Sequence, residues 1–356
     1  ALLAERGERE KALSILNRFR ADVGYNAALE ALKARIEAGE AIKAPRLTVR
    51  QGAALALFLP ASALFFQTSD DVAAVYFVLA VALDPDLHQA RTLWAQSLIQ
   101  ADRRDEAIRI LRDVPQSSPY YAAARSQMAS TLLQEDRADE ALQVAAEALA
   151  AKPDRSLRLQ LADLYRALER YGESETILTD VISADEAEGR EDWRPIFSRG
   201  AARERQGNYE GAEADLKRAL ALNPSNATVL NYLGYSWIDR GVNLADGLDL
   251  IRQAVALQPD SAHIVDSLGW AHYKFGQYDL AVDYLERAVE LMPGDAVLND
   301  HLGDAYWQAG RRKEAGFQWR RALKLDPAPE DKARIEQKLM TGPGAPPPAP
   351  GSALAR

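Results

Sequence analysis

The sequence predicts an all-α fold, a solenoid of stacked helix pairs, from its internal period and its composition. Four prolines, Pro224, Pro259, Pro293 and Pro327, recur with a period of about 34 residues, and each closes a segment with the same order of Leu, Gly, aromatic and Ala residues. Hydrophobic residues make up 47% of the chain and charged residues 27%, which suits amphipathic helices. Because one unit of this length cannot bury its apolar face alone, we expect neighbouring units to stack into one elongated solenoid.

The clearest unit spans residues 262–295. Its signature residues are Leu268, Gly269, Gly276, Tyr278, Ala281, Ala288 and Pro293. Small residues such as Gly269 and Ala281 allow two helices to approach closely. Gly276 permits the positive φ angle of a tight turn, and Pro293 cannot continue a helix. The unit therefore predicts a helix, a tight turn and a second helix.

The same period predicts the organisation of most of the chain. Residues 193–329 contain four well-formed units. Residues 54–192 contain degenerate units, in which Pro85, Pro119 and Pro153 recur at the same spacing. We therefore expect eight units in succession.

The two ends of the chain depart from the period. Residues 1–22 match only part of a unit, and residues 23–53 predict a helical spacer. Residues 330–340 are polar, and we expect them to form a helix that caps the last unit. Residues 341–356 are rich in Pro, Gly and Ala and predict a disordered tail.

The repeating unit resembles the tetratricopeptide repeat (TPR) in its length and in the order of its signature residues. This resemblance implies a right-handed superhelix of antiparallel helix pairs that holds other proteins or extended peptides in a concave groove. In such repeats the first helix of each pair lines the groove. The resemblance assigns the following peptide-binding residues: Asn231, Tyr235, Ile238, Asp266, Trp270, Tyr273, Lys274, Asp300, Asp304 and Trp307.

The expected groove combines aromatic and acidic side chains. Trp270 and Trp307 would bury apolar side chains of a peptide, although burial in the core is the alternative for both. The Asn and Asp residues would accept hydrogen bonds from the peptide backbone or from its Lys and Arg side chains. Asp266 and Asp300 would repel a terminal carboxylate, which argues against the binding of chaperone tails.

The composition argues against catalysis, cofactors and nucleic acid. The chain has no Cys, four His and no Gly-rich phosphate loop, so we expect no enzyme activity and no cofactor. Asp300 and Asp304 lie one helical turn apart, but His301 is rotated by about 100° from Asp300, so no metal site is predicted. The net charge of −9 is opposite to that of a nucleic-acid-binding surface.

The apolar stretch 53–66 does not predict a transmembrane segment. It is about 14 residues long and contains Pro60, whereas a membrane-spanning helix needs about 20 apolar residues. We expect it to form the first helix of a repeat, packed on both sides.

A narrower resemblance covers residues 227–325, with the strings VLNYLGYSWIDRG and IVDSLGWAHYKFGQYDLAVDYLERAVEL. They are similar to the C-terminal repeats of a proteobacterial envelope TPR group that includes lipoprotein adaptors of carboxyl-terminal processing proteases. The resemblance implies a periplasmic, outer-membrane-associated scaffold whose partners are such a protease and its substrates. Two alternatives stay open: a cytoplasmic assembly or chaperone-like module, and the regulatory TPR arm of a larger enzyme.

Overall fold

A computed structural model describes residues 1–22, 26–44, 46–65 and 71–343, and these residues form α-helices joined by turns, without a strand. The chain divides into two compact units, Ala1–Val181 and Ile182–Arg356, with the boundary inside a helix. The predicted all-α fold of repeated helix pairs is confirmed.

The first unit begins with α1 (Leu2–Glu5), α2 (Arg9–Asp22) and α3 (Ala27–Glu37), which enclose a small core of their own. The helices that follow are α4 (Val49–Phe65), α5 (Asp71–Leu83), α6 (His88–Gln100), α7 (Arg104–Arg112), α8 (Tyr121–Gln134), α9 (Ala138–Ala151), α10 (Arg155–Ala167) and α11 (Tyr171–Ala187). In α4–α9 each helix packs against the next one along the chain.

The second unit contains four helix pairs followed by a single helix. The pairs are α12 (Trp193–Arg205) with α13 (Tyr209–Leu222), α14 (Ala227–Asp239) with α15 (Leu244–Leu257), α16 (Ala262–Lys274) with α17 (Tyr278–Leu291), and α18 (Ala296–Gln308) with α19 (Arg312–Leu323). The last helix, α20 (Pro329–Thr341), packs against α19. The first helices of successive pairs also touch, since α14 contacts α16 and α16 contacts α18.

The small residues of the repeat act as predicted. Gly276 has a φ angle of +74°, so the turn between α16 and α17 uses the left-handed conformation that glycine adopts most easily. A Cβ atom on Gly269 would lie 2.6 Å from Leu285 Cγ, so only glycine lets α16 approach α17 this closely. Ala281 and Ala288 are fully buried in the same interface.

Three turns in the first unit reach the same conformation without glycine. Asp102, Asp136 and Glu169 have φ angles of +60°, +57° and +58° where Gly207 and Gly276 stand in the second unit. A side chain in this region costs conformational energy, so these three turns carry strain that glycine avoids at Gly207 and Gly276. Asn243 and Asp326 of the second unit also have positive φ angles.

The apolar helix α4 is buried on one face only. Ala54, Phe58, Ala61 and Phe65 are buried, whereas other apolar residues of α4 remain exposed. The expectation that this helix packs on both sides is therefore wrong, because α4 packs against α5 and has no comparable packing with α3 in the described residues. None of the helices in the described part of the chain is long and apolar enough to cross a membrane.

The C-terminal end differs slightly from its predicted bounds. Thr341 belongs to α20, although the sequence places it in the predicted tail. Residues 344–356, which make up the rest of that tail, lie outside the described residues. The same holds for residues 23–25 and 45 of the predicted spacer and for residues 66–70 of the predicted degenerate repeats.

Candidate functional site

The candidate site is a cavity of about 700 Å³ in the second unit, formed by the first helices of three pairs and by α20. Its lining residues are Tyr235 and Asp239 of α14; Trp270, Tyr273 and Lys274 of α16; Asp300, His301 and Asp304 of α18; Arg334, Gln337, Lys338 and Thr341 of α20; and the following Gly342 and Pro343. The cavity therefore lies on the helices that were expected to carry a groove. Its volume is in the range of ligand pockets.

The predicted binding residues separate into two groups. Those that line the cavity are Tyr235, Trp270, Tyr273, Lys274, Asp300 and Asp304. Those that do not line it are Asn231, Ile238, Asp266 and Trp307.

Trp270 is the central aromatic residue of the cavity wall. Its ring stacks on Tyr273, with centroids 4.7 Å apart, and on His301, with centroids 4.2 Å apart. The Trp270 side chain is half-buried, so it keeps an accessible part in the cavity. The Lys274 ammonium lies 5.4 Å from the Trp270 ring centroid and pairs with Asp239 at 3.1 Å. This wall offers a rigid aromatic surface whose neighbouring charges are already paired.

The carboxylates at the base of the cavity are neutralised by the last helix. Asp300 is 1% exposed and Asp304 is 5% exposed. Lys338 Nζ donates hydrogen bonds of 2.8 Å to both oxygens of Asp300 and one of 2.7 Å to Asp304. Arg334 donates to Asp300 at 3.1 Å, and Trp319 Nε1 donates to Asp304 at 3.1 Å. The expectation that these two carboxylates receive a peptide's Lys or Arg is therefore revised, because cations of the chain itself occupy them.

His301 and Asp266 form a second buried pair beside this cluster. His301 Nδ1 lies 3.0 and 3.1 Å from the two carboxylate oxygens of Asp266. Burial opposes the charged imidazole, but the Asp266 carboxylate, with Asp300 and Asp304, raises the pKa of His301. Asp266 is buried and engaged with this histidine, so it does not present a free carboxylate to the cavity.

Burial also raises the pKa values of neighbouring acidic groups. It raises the pKa of Asp304, against the opposing effect of Lys338. Burial likewise raises the pKa values of the Tyr235 and Tyr273 hydroxyls, an effect to which nearby carboxylates add. Both phenols are therefore neutral at physiological pH and can donate a hydrogen bond.

Ile238 and Trp307 serve packing in this structure. Ile238 faces the neighbouring helices and is fully buried in a cluster with Ile251 and Leu268. The predicted binding role of Ile238 is therefore wrong, because its side chain cannot contact a ligand. Trp307 is half-buried, with its ring 5.6 Å from that of Trp319. A Cβ on Gly342 would collide with the Trp307 ring, so the segment after α20 lies directly against this tryptophan.

Asn231 keeps an unused hydrogen-bond acceptor. Its Oδ1 is buried and has no hydrogen-bond partner among the described residues. Such an acceptor is costly unless water or a ligand satisfies it.

The cavity residues that the sequence reasoning missed come mainly from α20. Arg334 and Lys338 lie one repeat length after Asp300 and Asp304, so they continue the repeat register into the last helix. The signal was available, because Arg334 and Lys338 carry charges opposite to those of Asp300 and Asp304 at equivalent repeat positions, and equivalent positions of neighbouring repeats come close when repeats stack. In the described part of the chain no group of three or more His, Cys, Asp or Glu residues could hold a metal ion.

Comparison with known proteins identifies the repeats. The tetratricopeptide repeat family profile matches residues 122–328, which is more than half of the chain. The TPR repeat-containing protein PA4667 of Pseudomonas aeruginosa is 31% identical over 131 residues, which cover 37% of this chain and 22% of that protein. The chain thus spans about a fifth of the length of this relative.

Two solved structures share the fold. A tetratricopeptide repeat protein from Parabacteroides merdae has a TM-score of 0.58 and 14% identity, covering 71% of this chain and 98% of that one. The APC/C hetero-tetramer Cut9–Hcn1 has a TM-score of 0.57 and 17% identity, covering 80% of this chain and 55% of that one. The repeat register, the paired helices and the family match agree with one another. The chain therefore belongs to the tetratricopeptide repeat family.

Proposed function

We propose that this chain is a non-catalytic scaffold that binds an extended segment of a partner protein in the cavity between α14, α16, α18 and α20. Tetratricopeptide repeats form protein–protein interaction scaffolds, which supports the general role. The observation that carries the specific site is the half-buried Trp270, held between Tyr273 and His301 at the cavity wall.

The aromatic wall suits an apolar side chain of the bound segment. Stacking on Tyr273 and His301 holds the half-buried Trp270 ring in place before binding, so little side-chain entropy is lost when this ring receives a ligand. Aromatic residues in such pockets often dominate the free energy of binding. We therefore expect Trp270 to contribute more to affinity than any charged residue of the cavity.

The polar groups of the site suit a peptide backbone. The neutral Tyr235 hydroxyl, which lines the cavity, can donate to a backbone C=O. Asp300 and Asp304 are paired with Lys338. We therefore do not expect these two carboxylates to select Lys or Arg side chains in the bound segment. The site then recognises an extended chain with an apolar anchor and tolerates several sequences.

We further propose that the scaffold works in the bacterial envelope, in the periplasm and in association with the outer membrane. The support is the similarity of residues 227–325 to envelope adaptors of carboxyl-terminal processing proteases. In this role the cavity would hold a substrate, such as a cell-wall hydrolase, or the protease itself.

The test is affinity capture from envelope extract of the source organism with three forms of the immobilised chain: wild type, Trp270→Ala and Phe317→Ala. Phe317 is 66% exposed on α19 of the same unit and does not line the cavity, so it is a matched aromatic control. We expect a processing protease or its substrates to bind the wild type and Phe317→Ala but not Trp270→Ala. Equal capture by all three forms would contradict the cavity assignment, and capture from soluble extract alone would contradict the envelope role.

A further inference from the structure

The chain turns into the cavity where α20 ends. Gly342, the residue after α20, is buried, and it lines the cavity together with Pro343. Its φ angle of +78° and ψ angle of 166° form a combination that glycine adopts far more readily than other residues. A Cβ atom at this position would also collide with the Trp307 ring. Two separate features therefore require glycine here, and they hold the start of the C-terminal segment against the cavity.

The segment that starts at this point is rich in proline. Residues 343–350 read PGAPPPAP, with five prolines and no charged residue. A sequence of this composition favours the polyproline II conformation, which has no internal hydrogen bonds. Because proline has no backbone N–H group, the segment presents mainly carbonyl acceptors and apolar rings.

The carboxylates that line the cavity are already engaged by cations of the chain. Asp239 pairs with Lys274 at 3.1 Å. Asp300 and Asp304 both accept hydrogen bonds from Lys338. An ordinary extended segment carries one backbone N–H group in each residue, and it would find few open acceptors on this wall.

Hydrogen-bond donors of the cavity, in contrast, remain open. The Tyr235 hydroxyl stays protonated, because burial raises its pKa. The Arg334 side chain is 52% exposed, and its contacts with Asp300 and Asp331 both run through Nη2. A guanidinium carries five N–H groups, so others are left to donate to a ligand. The cavity therefore suits a segment that brings carbonyl oxygens and few N–H groups.

We infer that residues 343–350 of this chain bind in the cavity in the polyproline II conformation and must be displaced before a partner segment can bind. The proposed function underlies this inference, because both segments use the same aromatic wall. Proline-rich segments dock on grooves lined by aromatic residues, since their preformed helix loses little entropy on binding. The Trp270 ring, stacked on Tyr273 and His301, offers such a surface.

The segment is long enough to reach this ring. Packed helices lie about 8 to 10 Å apart, so the path from the end of α20 past α18 to Trp270 on α16 covers about 20 Å. Polyproline II rises about 3.1 Å per residue, so about seven residues after Gly342 cover this distance. Residues 343–350 therefore suffice without any movement of the helices.

Attachment to the same chain favours this occupant over a free peptide. A short tether gives an effective concentration on the order of 1 mM. A segment that binds as a free peptide with a Kd of about 100 μM would then fill the cavity about nine-tenths of the time. A partner segment would bind about tenfold more weakly than to the empty cavity. We therefore expect the proline-rich segment to exclude weak partners.

The first test locates the segment in the full chain. The protein has no cysteine, so Ser352→Cys provides one attachment site for a nitroxide label just beyond the segment. We expect the label to broaden the indole N–H resonance of Trp270 and to leave that of Trp193 on α12 sharp. The control is the same labelled chain with the proline replacements Pro346→Ser, Pro347→Ser and Pro348→Ser. It should broaden Trp270 much less, because the tether is kept while the docking sequence is lost.

The second test measures competition with a fluorescein-labelled synthetic peptide of residues 343–352. We expect the chain with the three proline replacements to bind this peptide about tenfold more tightly than the wild type, because the wild-type cavity is already occupied. Adding Trp270→Ala to that chain should weaken binding by about tenfold or more, whereas adding Phe317→Ala should leave it unchanged.

Equal broadening of Trp270 in both labelled chains, or none in either, would overturn the inference. Equal affinity of the peptide for the wild type and the proline-replaced chain would also overturn it, in favour of a cavity that takes proline-rich segments of a partner. Peptide binding that Trp270→Ala leaves unchanged would place the segment elsewhere on the protein. In each case, capture of a partner that still depends on Trp270 would leave the proposed function standing, so the two failures are distinguishable.

Discussion

Replacement of Lys338 by Met should destabilise the second unit strongly, because Lys338 holds two buried carboxylates at once. In the wild type its ammonium donates to Asp300 and Asp304 at 2.7–2.8 Å, and its side chain is 10% exposed. Met keeps most of the volume and the apolar stem but removes all of these hydrogen bonds. Asp300 would keep Arg334 as a partner, and Asp304 would keep the indole N–H of Trp319.

The expected magnitude follows from the loss of one partner in a buried ion pair. Such a loss costs about 3 to 5 kcal/mol, because an uncompensated charge stays buried. The remaining hydrogen-bond donors to Asp300 and Asp304 should reduce this cost. We therefore expect Lys338→Met to lower the free energy of unfolding by about 2 to 4 kcal/mol. The pKa of Asp304 is already raised by burial, and loss of Lys338 should raise it further.

The assay is urea denaturation followed by circular dichroism, together with hydrogen exchange of the α20 amides. Lys332→Met is the matched control, because Lys332 is an exposed residue of the same helix and its replacement should change stability by less than about 0.5 kcal/mol. Adding Asp304→Asn to Lys338→Met should restore part of the lost stability, since the uncompensated charge is removed. If Lys338→Met behaved like Lys332→Met, the reasoning about the buried cluster would be refuted.

Three further predictions concern packing, turns and pH. Ala281→Leu should lower stability by about 1 to 3 kcal/mol in thermal unfolding, because Ala281 is fully buried between α16 and α17; an unchanged melting temperature would show that the interface has room. Asp136→Gly should raise stability by about 0.5 to 1 kcal/mol, because the residue has a φ angle of +57°; a loss of stability would mean that the aspartate side chain matters more than backbone strain. His301→Gln should cost most stability at low pH: a raised pKa means that protonated His301 stabilises the fold fully below pH 6.5, and this contribution is lost as the pH rises through its folded-state pKa. The measurement is the melting temperature of wild type and of His301→Gln across a range of pH. A difference between the two proteins that grew with pH would contradict the His301–Asp266 pairing.

The helix pairs could be predicted from sequence because the relevant contacts are local to each repeat. The left-handed turn at Gly276 and the close approach at Gly269 both follow from a repeating unit in which each position has one steric role. The left-handed angle at Asp136 could not be read from residue type, since aspartate is common in many conformations.

The candidate site was predicted only in part, because the repeat register predicts which side of a helix a residue lies on but not what covers it. Ile238 was expected in the groove, yet it is fully buried. Asp300 and Asp304 were expected to face a ligand, yet Lys338 occupies them. The sequence predicts that the polar helix α20 caps the last unit, and the register pairs Arg334 with Asp300 and Lys338 with Asp304, but only the structure shows that α20 also lines the cavity. The exposure of Val72 and Leu79 on α5 could likewise not be predicted, because a run of apolar residues does not reveal which face of a helix lacks a neighbour.

The most direct test of the central claim is the affinity of a captured partner's extended segment, measured by isothermal titration calorimetry for wild type, Trp270→Ala and Phe317→Ala. Loss of an aromatic residue that anchors a ligand costs about 2 kcal/mol or more, so we predict a Kd at least tenfold higher for Trp270→Ala and an unchanged Kd for Phe317→Ala. Equal affinity of all three forms, with their folds intact by circular dichroism, would contradict the assignment of the cavity as the binding site.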